Sequence, residues 1–308
     1  AQHMAGGIYG EWKRAMIRDA LVHQGFRNVP ISPSIASPPA SRRRVRLAVG
    51  RTRGKPGAAP DIGFRRRASH GVAAIEHCAV MLPELDALIA PLGRLAAAIG
   101  SGVSDISLTA AAEGRELVLH GLDGAPDLAM REALAEFTHA EGIQRLSVEY
   151  RETPGGGRGG ARARGRVGGR KRGGGRGGGG GQKCASAPVL ETIAQPGAVR
   201  AHFGTVAVDL PPGAFLQPTA SGEAAIQRLV RDGLVLGEAA PDVSHPAGGK
   251  GGGGGARVAD LYSGLGGIGF ALASRHQVVM YEGNRAMAEA ASRAAGTTGR
   301  NVAAESRD

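Results

Sequence analysis

The chain has 308 residues, 42% of them hydrophobic, with a net charge of +11, 52 glycines and only 4% aromatics. That length can build two domains with cores of their own, but the glycine content excludes a uniform fold. No apolar run approaches the roughly 20 residues of a membrane span, no signal-peptide pattern opens the chain, and two cysteines, Cys78 and Cys184, exclude a disulfide framework. A cytoplasmic protein is expected. Met4 is internal, so the sequence does not look like a natural start. The charge is unevenly spread: +10 over residues 1–80, −7 over 81–150, +9 over 151–183 and −1 over 184–308. A basic first block suits a face that tracks phosphates, although a solvated arginine-rich face with a charged linker explains the same numbers.

Residues 8–24, IYGEWKRAMIRDALVHQ, place Ile8, Trp12, Met16, Ile17 and Leu21 on one helical face. Residues 42–49, RRRVRLAV, alternate basic and apolar as a half-buried strand does, with Arg42, Arg44 and Arg46 outward. The segment DIGFRRRA adds Arg65, Arg66 and Arg67. A helix is predicted over 83–98, beginning near Pro83. Two strands are predicted around a Glu113-Gly114 turn, then a helix over 127–140 and a strand in IQRLSVEYR, which together describe an α+β unit.

Residues 155–181 are almost wholly Gly, Arg and Ala and cannot pack a core. They read as a flexible insertion or as an Arg-Gly RNA-binding tail. GGKGGGGG at 248–255 reads as a spacer. After Cys184 the segments VLETIA and HFGTVAVDLPPGAFLQ read as strands, and a helix over 219–232 starts at Thr219 or Ser221. VADLYSGLGGIGFALA at 258–273 then gives a strand, a glycine turn and a helix, followed by a second strand ending at Glu282 and another helix from Asn284. This alternation opens a doubly wound parallel sheet.

Gly264 and Gly266 let the turn approach a ligand, and about 20 residues on an acid at a strand tip suits the two hydroxyls of a ribose. Glu282 holds that place. The loop alone does not separate NAD from S-adenosylmethionine, and a structural strand–helix turn remains open.

Upstream, Phe215-Leu216-Gln217-Pro218-Thr219 precedes the helix, and Asp260-Leu261-Tyr262-Ser263-Gly264-Leu265-Gly266 follows it. This pair resembles the Phe-x-Gln-x-Asn and Asp-Leu-Tyr/Phe-Cys-Gly-x-Gly elements of the RNA uracil-C5 methyltransferases, which make 5-methyluridine in ribosomal and transfer RNA. Thr219, Ser263 and Gly267 depart from the usual Asn, Cys and Asn. The resemblance implies an α/β protein: an α+β central RNA-facing domain over 1–154, a Gly/Arg-rich insertion over 155–183, and the first part of a Rossmann-like class I S-adenosylmethionine methyltransferase sheet over 184–308, with a glycine tract at 247–255. By the same resemblance Gln217, Tyr262, Gly264, Gly266 and Glu282 contact S-adenosylmethionine, and the six arginines named above steer RNA.

Many members hold a [4Fe–4S] cluster on four cysteines. Cys78 matches the fourth, the other three have no counterpart, and a buried free thiol describes Cys78 equally well. His70 and His77 beside it read as structural. Members add a cysteine thiolate to C6 of uracil, so that C5 attacks the sulfonium methyl, with an Asp to orient the ring and a Glu as base. None of these motifs occurs through Asp308. The expectation is therefore an inactive internal piece of a monomeric enzyme that acts on rRNA or tRNA, with no membrane and no protein partner. Two other readings stay open: an RNA-binding module with a non-catalytic cofactor fold, and a nucleotide-dependent oxidoreductase.

Overall fold

The computed structural model describes residues 4–50, 60–69, 71–100, 102–152, 187–238, 256–298 and 302–306. Cys184, His70 and both glycine-rich tracts lie outside the described residues. The first helix, α1 (Gly6–His23), forms where the sequence places it, but it buries nothing: Ile8, Trp12, Met16 and Ile17 are exposed. The expected apolar face exists without a core to meet it.

The arginine–apolar alternation becomes β1 (Arg44–Val49), which turns Val45 and Leu47 inward. β2 (Ile62–Arg65) pairs with it and with β3 (Val72–Ala74), a short strand the sequence pattern did not announce. The single helix expected over 83–98 is two: α2 (Pro83–Asp86) and α3 (Ile89–Ile99). Pro91 is the physical reason. It has no N–H to bond back to Ala87, and its ring crowds that carbonyl, so the helix restarts there. β4 (Asp105–Ala110) and β5 (Arg115–Leu122) are antiparallel around Gly114, whose φ of +85° only glycine adopts easily. α4 (Leu128–Ala140) is capped by Asp127, which accepts the Met130 amide at 2.9 Å. β6 (Arg145–Tyr150) runs parallel to β5, as a crossover helix requires.

VLETIA is β7 (Val189–Ala194), but it pairs antiparallel with β6 and completes a seven-stranded sheet of order β3-β2-β1-β4-β5-β6-β7. The first sheet thus reaches beyond residue 154, across the glycine-rich tract. Its apolar face packs Leu47, Ile106, Leu108, Leu117, Leu119, Leu146 and Val148 against Leu85, Leu92 and Leu134 of the helices.

β8 (Arg200–Phe203) and β9 (Val206–Asp209) form a hairpin, and α5 (Ala220–Glu238) follows. Then β10 (Arg257–Leu261), α6 (Gly267–Leu272), β11 (Gln277–Glu282), α7 (Arg285–Thr298) and β12 (Val302–Ser306) build a parallel three-stranded sheet in sequence order. Val278 and Met280 pack against Phe270, Ala291 and the hairpin's Phe203 in a second core. No helix among the described residues is long and apolar enough to cross a membrane.

Candidate functional site

β10 ends in a turn made of three left-handed residues: Tyr262 at φ +58°, Gly264 at +60° and Gly266 at +84°. For glycine this is free, but for tyrosine it costs about 1 kcal/mol or more. The Tyr262 ring is 92% exposed. The turn is held by Ser263 N donating to Tyr281 O at 3.0 Å and Gly266 N to Ser263 O at 2.9 Å. A Cβ on Gly266 would stand 2.7 Å from Met280 Sδ, and one on Gly269 would collide with the same sulfur, so the helix sits directly on β11.

Glu282, at the tip of β11, reaches across to this turn. Its Oε2 accepts the Gly264 amide at 2.7 Å and its Oε1 accepts the Asn284 amide at 2.7 Å. A carboxylate offers about four acceptor positions, so each oxygen keeps one for a further donor. The Ser263 hydroxyl oxygen is buried with no hydrogen-bond partner among the described residues. Asp260, one turn back on β10, accepts the Gly269 amide at 2.9 Å, and burial raises its pKa although that hydrogen bond opposes the rise. Asp260 opens the motif quoted from the sequence but was given no role there. Its signal was an acid between two apolar residues, Ala259 and Leu261, one position short of the strand's end.

Gln217 lies on the segment that leads into α5. Its backbone carbonyl accepts Arg43 Nε at 3.0 Å, while its side-chain amide has no partner among the described residues. Thr219 caps α5, its Oγ1 accepting the Gly222 amide at 3.0 Å. Gln227 of α5 donates to Gly267 O at 2.8 Å, tying α5 to the start of α6. So Tyr262, Gly264 and Gly266 lie on one turn, Glu282 reaches that turn from the tip of β11, and α5, which Gln217 precedes, is joined to the start of α6. Among the cavities, one of about 510 Å³ is elsewhere, along the strands of β10–β12.

Sequence reasoning missed the residues that fasten the segment before Gln217. Arg43 is buried, pairing with Glu223 at 3.0 Å. Arg145 and Glu116 form a pair 4% and 1% exposed, 2.8 Å apart. Arg145 also donates to Leu210 O at 2.6 Å, and Glu116 accepts the Gly213 amide at 3.0 Å. The available signal was alternation: with Arg42 and Arg44 outward, Arg43 has to point in and needs a carboxylate.

The predicted RNA-facing arginines divide. Arg42 is exposed and unpaired among the described residues, as are Arg66 and Arg67. Arg44 lies 5.1 Å from the Phe215 ring centre. Burial lowers its pKa, Arg46 adds to that, and Glu116 opposes it. Arg46 and Arg65 share Asp105, at 3.5 and 2.9 Å. Cys78 is partly buried, its amide donating to Asp86 at 2.6 Å, and His77 pairs with the same carboxylate at 3.0 Å. Among the described residues no group of three or more His, Cys, Asp or Glu could hold a metal ion. A [4Fe–4S] cluster wants four thiolates, so the set implied by the resemblance is not assembled here.

No protein-family model matches the chain. Over 289 residues it is 30% identical to an uncharacterised RNA methyltransferase of Caulobacter vibrioides, covering 91% of this chain and 54% of the relative. Over 309 residues it is 29% identical to a 23S rRNA (uracil(1939)-C(5))-methyltransferase of Halomonas elongata, covering 98% and 53%. The chain thus spans about half the length of the curated relatives it matches. Its fold matches the tRNA (uracil-54, C5)-methyltransferase of Pyrococcus abyssi, solved in complex with S-adenosyl-L-homocysteine. The TM-score is 0.61 at 17% identity, covering 100% of this chain and 64% of that one. The α/β architecture is therefore the Rossmann-like one expected, and the chain is similar in sequence, over nearly all of its length, to RNA methyltransferases.

Proposed function

We propose that this chain is the RNA-facing domain and the first part of the cofactor fold of an S-adenosylmethionine-dependent enzyme that forms 5-methyluridine in rRNA or tRNA. The observation that carries it is the Glu282 carboxylate, fixed by two backbone amides at 2.7 Å with one acceptor position left on each oxygen. Two free positions on one rigid carboxylate match the two neighbouring hydroxyls of a ribose. The turn residues fit the rest of a nucleoside: left-handed Gly264 and Gly266 bring the backbone close, Ser263 keeps an unspent hydroxyl, and the exposed Tyr262 ring offers a flat surface. Gln217 has a free side-chain amide for the amino-acid end.

When bound, S-adenosylmethionine supplies a methyl group on sulfonium for a carbon nucleophile. Every residue named here binds or orients; none is assigned the thiolate or base of the methyl transfer. Arg42, Arg44, Arg46 and Arg65–Arg67 hold the RNA backbone by charge. No step runs through an iron–sulfur cluster. The protein is read as a cytoplasmic monomer.

Calorimetric titration with S-adenosylhomocysteine and, separately, NAD tests this. Heat is expected from the first alone, and Glu282→Gln is expected to weaken binding by about tenfold or more, as the loss of a charge-assisted hydrogen bond does. Binding of NAD in preference, or undiminished binding by the variant, would overturn the reading.

A further inference from the structure

β2 pairs with β1 only at Ala48 and Val49. Ahead of that point the strands splay, and residues 44–47 of β1 have β4 on one side and no strand on the other. A groove of about 430 Å³ occupies the gap, lined by Arg42, Arg44, Arg46, Phe64, Cys78 and Val80. That volume lies in the range of small-ligand pockets, about 300–1,000 Å³.

Two features of the groove ask for different things. Three guanidinium groups line it, and the carboxylate that answers one of them, Asp105, is shared with Arg65. Arg42 has no acidic partner among the described residues, the carboxylate nearest in charge to Arg44, Glu116, is already paired with Arg145, and Arg44 and Arg46 are near enough to repel. This calls for an anion. The Phe64 ring, in the lining, is 39% exposed, and Phe215, beside Arg44, is 50% exposed. A flat apolar face laid on either ring would take its surface out of water, and the neighbouring guanidinium groups could meet the charge that such a ligand carries. A free phosphate would leave the rings wet. A duplex keeps its base faces stacked inside.

We infer that this groove is a subsite for one unpaired nucleotide of single-stranded RNA, its base stacked on Phe64 and its phosphate held by Arg42 and Arg46. This rests on the reading of the chain as RNA-facing and goes beyond it, because it names a stacking residue and limits the ligand to an unstacked strand. Phe64 follows a glycine and precedes the arginine run, so the ring and the charges arrive on one short segment.

The test is fluorescence anisotropy of the 308-residue protein with a labelled single-stranded oligoadenylate across a salt series, with unlabelled duplex RNA, inorganic phosphate and polyglutamate as competitors. Phe64→Leu is expected to weaken binding about tenfold, as loss of one base–aromatic stack does, with the salt slope unchanged. Phe64→Tyr is expected to retain affinity, and Arg42→Gln to reduce the slope by about one. If the wild type binds but all three Phe64 forms bind alike, the subsite is wrong and the RNA reading stands. Equal competition by duplex, phosphate or polyglutamate overturns the subsite too. No binding by the wild type overturns both.

Discussion

The two sheets differ in how completely they are closed. The seven-stranded sheet packs one face on α2–α4, and part of its other face is crossed by the segment 210–217, which the buried Glu116–Arg145 pair pins in place. The three-stranded sheet packs Val278 and Met280 on its helices, while Ala259, Val279 and Ala303 on the opposite face border a cavity of about 510 Å³. Parallel sheets are usually covered on both faces. Among the described residues, stability is therefore concentrated in the first sheet, and the second, which carries the Tyr262–Gly266 turn, is held mainly by one face and by close glycine contacts.

Breaking the stronger region gives the largest effect. Glu116→Leu strands Arg145 in a buried site and frees Gly213, and is expected to cost about 3–5 kcal/mol in urea unfolding. An unchanged midpoint would show that the crossing segment does not brace the first sheet. Gly269→Ala strikes the second region, driving a methyl into Met280; about 1–3 kcal/mol is expected, with loss of S-adenosylhomocysteine binding and little change at the first sheet's amides in hydrogen exchange. Uniform loss of protection across both sheets would merge the two regions into one cooperative unit.

The smallest effect sharpens the electrostatics of the first sheet. His120 bonds Ser107 Oγ at 2.9 Å and Glu149 at 3.2 Å, and burial lowers its pKa, helped by Arg46 and opposed by Glu149 and Asp105. Because the folded state binds this proton less readily than the unfolded chain, stability is full above the ordinary histidine range. It is lost as pH falls through the lowered folded value. His120→Gln is expected to flatten that acid limb in thermal melts between pH 5 and 7, a window about the usual histidine value. An unaltered limb would assign it to another group.

How much of this was readable in the sequence follows from how local each cause is. The Glu113-Gly114 turn and the strand–turn–helix at 258–273 were legible because glycines at fixed offsets and period-two alternation are local signals. The break at Ala87–Leu88 was legible too, in Pro91, had its clash four residues back been weighed against the apolar periodicity. β7 was legible as a strand, but its place in the first sheet was hidden because its partner β6 lies across the glycine-rich tract, and pairing is a tertiary fact. α1 shows the limit of a local signal: its apolar spacing predicted a helix and an apolar face correctly, but that face is exposed, since periodicity describes a helix and not what covers it. At the site, the turn and Glu282 were visible as spacing, whereas Arg43, Arg145 and Glu116 act through partners more than 90 residues away or on another strand.

Arg42, Arg43 and Arg44 occupy consecutive positions, yet the middle one holds Gln217 and Glu223 while its neighbours line the groove. Since side chains alternate across a strand, sliding β1 by one residue against β4 would swap these assignments wholesale, burying two guanidinium groups and evicting the third. The Arg44–Thr109 alignment is thus a single setting on which both faces depend, and a one-residue insertion or deletion just before it would disable both together.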